Sequence, residues 1–306
     1  MSDSRPIVRV ICGPTGAGKT GLATHCAQFA DIAIVSADSR QVYRGFDVGT
    51  AKPTVRERRA ATYHGLDVLE PTERASAAWW ARCAVGWIGD ASEAGRTPLV
   101  VGGTGLYLRA LFDGLFHEPP MDATQRAALA AELAPLSVDA LRRWVGQLDP
   151  SRAHLGRTQL LRAIEIAVLT GHRLSDLHRD RPTKPRWRAR YLVVDPGPAL
   201  AGQIADRARG MFAMGWDDEV RGLMRTVPAD APAWNASGYR TLHDMVSGLI
   251  TYEVAVDRVV IETRQYAKRQ RTWFRHQLEP EQVTHLDPGA PDVLDQLRVW
   301  WSRGDA

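Results

Sequence analysis

A parallel-sheet α/β core carrying an inserted all-helical domain is what this 306-residue sequence predicts, and three observations predict it. An apolar segment runs directly into the glycine-rich stretch Gly13-Pro14-Thr15-Gly16-Ala17-Gly18-Lys19-Thr20 and then into helix-like sequence. Apolar strand-like runs alternate with helix-like segments over roughly the first hundred residues, the pattern of right-handed βαβ units. After Gly114 only helical signals follow, until an apolar run returns at 191–195.

Taken in order, Ile7–Cys12 is a short apolar strand, 19–29 the helix after the glycine-rich loop, and 31–36 (DIAIVS) a second buried strand. Segment 75–94 has helical composition, and 98–101 (PLVV) is a strand that ends in Gly102-Gly103-Thr104-Gly105 before a helix at 104–112. Helices are expected at 122–133, Val138–Leu148 and 158–169, with Gly171 as a C-terminal cap. The stretch 179–190, rich in Arg, Pro and Lys, reads as an exposed loop, and 191–195 (YLVVD) as a strand rejoining the sheet. Helices at 199–214, 217–226 and 252–277 and a short strand at 283–286 complete the chain. The domain division is therefore 1–115 with 190–306 as core, and 116–189 as insertion.

Bulk properties exclude several classes. With 44% hydrophobic and 24% charged residues the composition is that of a globular protein, and no run approaches the roughly 20 apolar residues of a membrane span. The opening MSDSRP lacks the layout of a secretory signal. Three scattered cysteines, Cys12, Cys26 and Cys83, suggest neither a disulfide framework nor a zinc site. A cytoplasmic protein is expected. The net charge of +4 decides nothing by itself; basic residues cluster at 152–162, 179–190 and 264–276, and it is that distribution that bears on nucleic acid.

The glycine-rich stretch fits G-x-x-x-x-G-K-[ST] between a strand and a helix, so the core is P-loop NTPase-like. Glycines there let backbone N–H groups point at phosphate oxygens, Lys19 adds positive charge, and Thr20 can hold Mg²⁺. The metal-binding acid of an ordinary ATPase would follow an apolar strand, yet strand 98–101 ends in Gly-Gly-Thr. The nearest acid after such a strand is Asp38, in Ser36-Ala37-Asp38-Ser39-Arg40-Gln41. At the carboxyl edge of the sheet it could bind metal, hold substrate or accept a proton, or simply cap a turn. Thr104 belongs at that same edge, as a ligand-facing hydroxyl or a helix N-cap. On a helix over 252–277, Arg264, Lys268, Arg271 and Arg275 fall on one face, beside a mainly apolar stripe of Val256, Val260, Thr263, Ala267, Gln270 and Phe274. Such a ridge suits a phosphate backbone, or is a solvated face.

Several blocks, in order along nearly the whole chain, resemble the bacterial tRNA dimethylallyltransferases (tRNA isopentenyltransferases). They are GPTGAGKT (13–20), SADSRQVYRGFDVGTAKP (36–53), HGLDVLEP (64–71), PLVVGGTGLYLRALFDGL (98–115), TQLLRAIEI (158–166), ASGYR (236–240) and TRQYAKRQRTWFR (263–275). The resemblance implies transfer of a dimethylallyl group from dimethylallyl diphosphate, with Mg²⁺, to N6 of the adenosine 3′ to the anticodon of tRNA. It implies Asp38 as proton acceptor, Thr104 as a holder of the adenosine, and Lys19, Arg207 and the loop Gly13–Thr20 positions, Thr15 among them, as the diphosphate seat. It further implies tRNA contacts at Asp38, Ser39, Arg40 and Gln41, at Thr158, Gln159, Leu160, Leu161 and Arg162, and at Asn235, Ala236, Ser237, Gly238, Tyr239 and Arg240. The last implied contacts are Lys268, Arg269, Gln270, Arg271, Thr272, Trp273, Phe274 and Arg275. The insertion is expected to grip the anticodon stem-loop, and the protein to be a monomer that needs no membrane. Gly16-Ala17 and Trp234-Asn235-Ala236-Ser237 depart from the commoner family wording. Rival readings are an adenylate isopentenyltransferase, a P-loop kinase with Arg152, Arg157 and Arg162 in a lid, and a nucleic-acid-binding protein with an inactive P-loop.

Overall fold

The computed structural model describes residues 4–114, 119–179 and 185–303. It divides into two compact units, Met1–Phe112 with Arg186–Ala306, and Asp113–Pro185.

The first unit is built on six parallel strands in the order β3-β2-β4-β1-β5-β6. In chain order it runs β1 (Ile7–Cys12), α1 (Lys19–Cys26), β2 (Ile32–Ser36), α2 (Val55–Arg58), β3 (Thr62–His64), α3 (Ala77–Glu93), β4 (Thr97–Gly102) and α4 (Gly105–Phe112). Alternate residues of the central strands enter opposite cores, as the two-residue period of a strand requires. Ile11, Ile34, Leu99 and Leu192 pack with Leu22 and Trp300 on one face, while Val10, Val35, Val100 and Val193 pack with Trp80 and Leu108 on the other. Register sets the site: Cys12 lies opposite Gly102 and Val193, and Ser36 opposite Val101. The loops leaving β1, β2 and β4 therefore emerge together at the carboxyl edge, where open α/β sheets bind ligands.

The second unit carries α5 (Ala123–Leu133), α6 (Val138–Leu148), α7 (Arg157–Thr170) and α8 (Leu174–Arg179) around its own core of Leu133, Leu141, Val145, Leu160 and Ile164. Gly171 ends α7 with φ of 73°. The Arg157 guanidinium donates to the carbonyls of Leu136 and Ala134, occupying orphan acceptors past the end of α5. The Asp149 carboxylate, 1% exposed, accepts from the Ser151 hydroxyl and the Ser175 amide and so ties α6 to α8.

The chain then completes the first unit with β5 (Arg188–Val194), α9 (Leu200–Ala213), α10 (Trp216–Thr226), α11 (Tyr239–Val246), α12 (Tyr252–Gln277), β6 (Val283–Leu286) and α13 (Val293–Ser302).

The expected loop at 179–190 is corrected at both ends: Arg179 is the last residue of α8, and 188–190 belong to β5, because Arg188, Ala189 and Arg190 pair with Ile7, Val8 and Arg9. Residues 180–184 of that expected loop, and Leu115 with 116–118 at the expected domain boundary, lie outside the described residues. The expected helix 19–29 ends at Cys26. Within the described residues of the first unit, four strands or α-helices had no expected counterpart. α2 and β3 are only four and three residues long; α11 and α13 owe their place to packing, with Leu242 and Trp300 buried at 0% and 1% exposure.

Candidate active site

The P-loop turns back sharply at Gly13 (φ 140°), where a Cβ would stand 2.2 Å from the Val194 carbonyl oxygen, so no larger residue fits. Gly18, at φ 82°, is the left-handed N-cap of α1. Lys19, the first residue of that helix, folds its ammonium over the loop and donates to the carbonyls of Gly13 at 3.0 Å and Pro14 at 2.7 Å. Burial first, and the neighbouring Arg207 guanidinium second, push Lys19 down to about 8, against opposing pulls from Asp38 and Cys12. Arg207 comes from α9. Burial lowers it while Asp38 pulls it up, and it has no hydrogen-bond partner among the described residues. Two cations beside the same loop make an electropositive pocket in which an anion relieves the repulsion.

Asp38 follows β2. Its Oδ1 accepts from the Arg40 amide at 2.8 Å and the Gln41 amide at 3.4 Å, an Asx-type turn that fixes the carboxylate. Oδ2 has no partner among the described residues. The turn is held to β4 by two bonds: Thr104 N donates to the Ala37 carbonyl at 3.1 Å, and Ser39 N donates to Thr104 Oγ1 at 3.0 Å. Burial first, and Asp38 next, push the nearby Tyr266 phenol up to about 12, against lowering pulls from Arg40 and Thr104.

Thr15, Lys19, Thr20, Asp38, Arg40 and Arg207 line one cavity of about 1340 Å³. Its wall includes Ile204, Ala208, Met211, Trp216 and Val259 on an apolar side, and Tyr266 and Arg269 of α12 on a polar one. Trp216 seals the wall against loop backbone: a Cβ on Gly49 or Gly238 would stand 2.2 or 2.3 Å from its ring. The Arg269 guanidinium lies 5.8 Å from the Tyr266 ring centroid, a cation–π contact.

Several expected site residues do other work. Thr104 does not line the cavity; its hydroxyl joins the β2 and β4 loops. Gln41 is a loop staple rather than a free contact: its Nε2 donates to the carbonyls of Thr50 and Ala51, and its Oε1 accepts from Ser36. Asn235, Ala236, Ser237 and Arg240 reach the cavity. Tyr239, at 0% exposure, instead buries its ring and donates its hydroxyl to Glu219 at 2.6 Å. Leu160 and Phe274 are core side chains, 0% and 5% exposed, and cannot offer their side chains to RNA. Arg162 pairs with Glu165, and Gln159 accepts from the Gly156 amide at the start of α7; Thr158 is exposed and Leu161 half-buried.

The expected ridge on α12 is also revised. Arg271 pairs with the Asp195 carboxylate and donates to the Gly197 carbonyl, and Arg264 donates to the Ala201 carbonyl. These two basic residues brace the helix against the chain after β5; Arg271 is half-buried in doing so, while Arg264 stays exposed along with Lys268, Arg269, Thr272 and Arg275. Trp273 packs on Gly105, where a Cβ would meet its ring at 2.2 Å. The apolar stripe is rotated by one position at its start, with Ala255 and Val259 buried in place of Val256 and Val260.

Sequence reasoning missed Lys52, Glu219 and Glu262. Lys52, 8% exposed, holds Asp47 at 2.6 Å and pairs with Asp67, which Arg58 also holds. Glu219 accepts from the amides of Asp47 and Val48, and Glu262 from the Gly238 amide and the Thr241 hydroxyl. Their partners lie far along the chain, so no local pattern marked Glu219 and Glu262; Lys52 stood inside a quoted block, but nothing there gave it a role.

A parallel α/β core whose first strand runs through a P-loop sequence into a helix, with an inserted helical unit and with Asp38, Lys19 and Arg207 on one cavity, places the chain in the P-loop class of folds. The IPP transferase family model matches residues 41–277, and the isopentenyl transferase model matches 6–64. The tRNA dimethylallyltransferase of Thermus thermophilus is 39% identical over 297 residues, covering 96% of this chain and 97% of that one. Two crystal structures are similar. The full-length tRNA isopentenylpyrophosphate transferase of Bacillus halodurans is 32% identical, with a TM-score of 0.66 over 92% of this chain and 90% of that one. The tRNA isopentenylpyrophosphate transferase of Staphylococcus epidermidis is 30% identical, with a TM-score of 0.68 over 96% and 98%. The chain belongs to the IPP transferase family.

Proposed function

We propose that this protein transfers the dimethylallyl group of dimethylallyl diphosphate to N6 of the adenosine 3′-adjacent to the anticodon in tRNA, releasing diphosphate. One observation carries the reading: Lys19 and Arg207 lie on the same cavity as Asp38, while β4 ends at Gly102 and runs into Gly103 and Thr104 where a hydrolase would place an acid. The allylic C–O bond breaks and its electron pair leaves with diphosphate, where charge accumulates. Lys19, Arg207 and the loop amides meet that charge, and they stabilise it more in the transition state than in the bound substrate. The N6 lone pair forms the new C–N bond. Because that lone pair is delocalised into the ring, loss of the N6 proton assists attack, and the unpartnered Oδ2 of Asp38 is the acceptor.

Thr20 lines the cavity on the P-loop and is a neutral oxygen donor. It suits Mg²⁺, which takes one or two protein oxygens and completes its shell with water and phosphate. When bound, Mg²⁺ supplies charge neutralisation of the leaving diphosphate.

The adenosine leaves the anticodon stack to reach the cavity. Arg40, Asn235, Ser237, Arg240 and Arg269, on its wall, are the side chains offered to the RNA. The insertion unit is assigned to the anticodon stem-loop, and the protein acts as a monomer. No helix among the described residues is long and apolar enough to cross a membrane.

The test offers labelled dimethylallyl diphosphate and Mg²⁺ with unmodified tRNA or with AMP, and ATP in a parallel reaction. Label is expected in tRNA at the adenosine after the anticodon. Label in AMP and not tRNA, or ATP turnover without prenylation, refutes the assignment.

A further inference from the structure

Gln270 projects from α12 into the gap between two loops of the sheet edge. Its Oε1 accepts from the Thr15 amide at 2.8 Å, and its Nε2 donates to the Gly103 carbonyl at 2.8 Å. The side chain is only 7% exposed. Thr15 is on the loop after β1 and Gly103 on the loop after β4, neighbouring strands whose last residues, Cys12 and Gly102, lie opposite each other.

The chemistry of the gap calls for a carboxamide. An N–H on one side needs an acceptor and a C=O on the other needs a donor, and a neutral amide carries both on one planar group. A leucine would leave both backbone groups without partners, and a glutamate would set an oxygen against the Gly103 carbonyl. Space is equally defined. A Cβ on Gly103 would stand 2.3 Å from Gln270 Nε2, so the absence of a side chain there admits the amide. Ala267 and Phe274, one helical turn to either side, are buried, so the strut stands on a packed base.

The bonds continue on the far side. Gly103 leads to Thr104, whose amide donates to Ala37 O and whose hydroxyl accepts from Ser39 N. Asp38 lies between those two residues. A connected path thus runs from the P-loop through Gln270 to the turn that holds the carboxylate.

We infer that Gln270 is a positioning residue: a strut that sets the separation between the diphosphate seat and the Asp38 carboxylate. This inference rests on the reading of the P-loop as a diphosphate seat and of Asp38 as proton acceptor. It assigns to Gln270 an internal duty in place of an RNA contact.

The experiment compares wild type with Gln270→Leu and Gln270→Glu in three measurements: binding of Mg²⁺-pyrophosphate by calorimetry, binding of unmodified tRNA, and the rate of prenyl transfer at saturating tRNA. Both variants are expected to lose about 10- to 100-fold in transfer rate, the scale of misplacing reacting groups by about an ångström. Pyrophosphate binding should weaken and tRNA affinity stay within about twofold. A fall in tRNA affinity with pyrophosphate binding and rate per bound tRNA retained would overturn the strut in favour of an RNA contact. So would wild-type behaviour in all three.

Gly103→Ala provides a check independent of the Gln270 variants' stability: its Cβ would stand 2.3 Å from the same amide and 3.1 Å from the Gly13 carbonyl oxygen. Alone it should slow transfer, and added to Gln270→Ala, which removes the nearer contact, it should cost less than it does in the wild type; a double variant that loses more than the sum of the two refutes the shared strut. Wild-type protein that binds no pyrophosphate and prenylates no tRNA refutes instead the functional reading beneath it, a result distinguishable from failure of the variants alone.

Discussion

Asp38 and Lys19 show how much a single side chain's surroundings decide. The Asp38 carboxylate has one oxygen committed to the amides of Arg40 and Gln41 and the other unpartnered among the described residues, so geometry is retained if the acid becomes an amide. Asp38→Asn is expected to lower turnover by at least ~100-fold, the scale of losing a general base, with tRNA affinity little changed; near-normal single-turnover rates would remove Asp38 from that role. Lys19 makes the pH behaviour specific. Burial and Arg207 bring it down to about 8 in the free protein, and a bound diphosphate, by favouring the charged ammonium, raises it again. Binding therefore takes up a proton above that value. Affinity for Mg²⁺-pyrophosphate should be complete below pH 8 and fall by up to about tenfold per unit above it, while Lys19→Arg, charged throughout, lacks that dependence. Titration calorimetry across pH 7 to about 10 checks the slope, with the anion's own protonation corrected in the same buffers.

At the scale of elements, α12 divides its functions around its circumference. Tyr266, Arg269 and Gln270 face the cavity; Arg264 and Arg271 brace the chain after β5; Lys268 and Arg275 remain exposed. The heptad-like spacing that placed all four basic residues on one ridge was sound helix geometry, but spacing says nothing about which carbonyls or carboxylates neighbouring elements bring near. Replacing Lys268 and Arg275 by Ala should reduce the salt dependence of tRNA binding, lowering the log–log slope by roughly 1.5 to 2. Arg271→Ala should act mainly on stability, by about 1 kcal/mol, since its pair with Asp195 is partly solvated. Filter binding from low to moderate salt separates the two, and an Arg271 variant that alone carries the change in slope would restore the original ridge.

At the scale of the molecule, the two units have separate cores, and this has a measurable consequence. Leu141 is fully buried among Leu133, Val145, Leu160 and Ile164, all within the insertion. Leu141→Ala should destabilise that unit by about 2 to 5 kcal/mol. Amide exchange should accelerate across 123–179 while β1, β4 and β5 keep their protection, and Mg²⁺-pyrophosphate binding should be unchanged; equal acceleration in the strands would show one cooperative unit.

Much of this protein was legible in its residues. The P-loop, the strands at Ile7–Cys12, 31–36 and 98–101, the helices Val138–Leu148 and 252–277, and Asp38 at a strand end all follow from short-range patterns: alternation, helical period, and glycine where backbone must approach phosphate. Tertiary structure alone decided which polar groups meet. Gln270 reaches Thr15 across 255 positions and Gly103 across 167, and Glu219 reaches Asp47 across 172. Local sequence biases a segment's own dihedrals and burial, but a hydrogen bond between distant segments depends on the register of the strands and the packing of helices between them. The fold class and the P-loop turn were therefore written along the chain, whereas the Gln270 bonds, the buried Lys52 network and the division of α12 came only with the sheet's assembly.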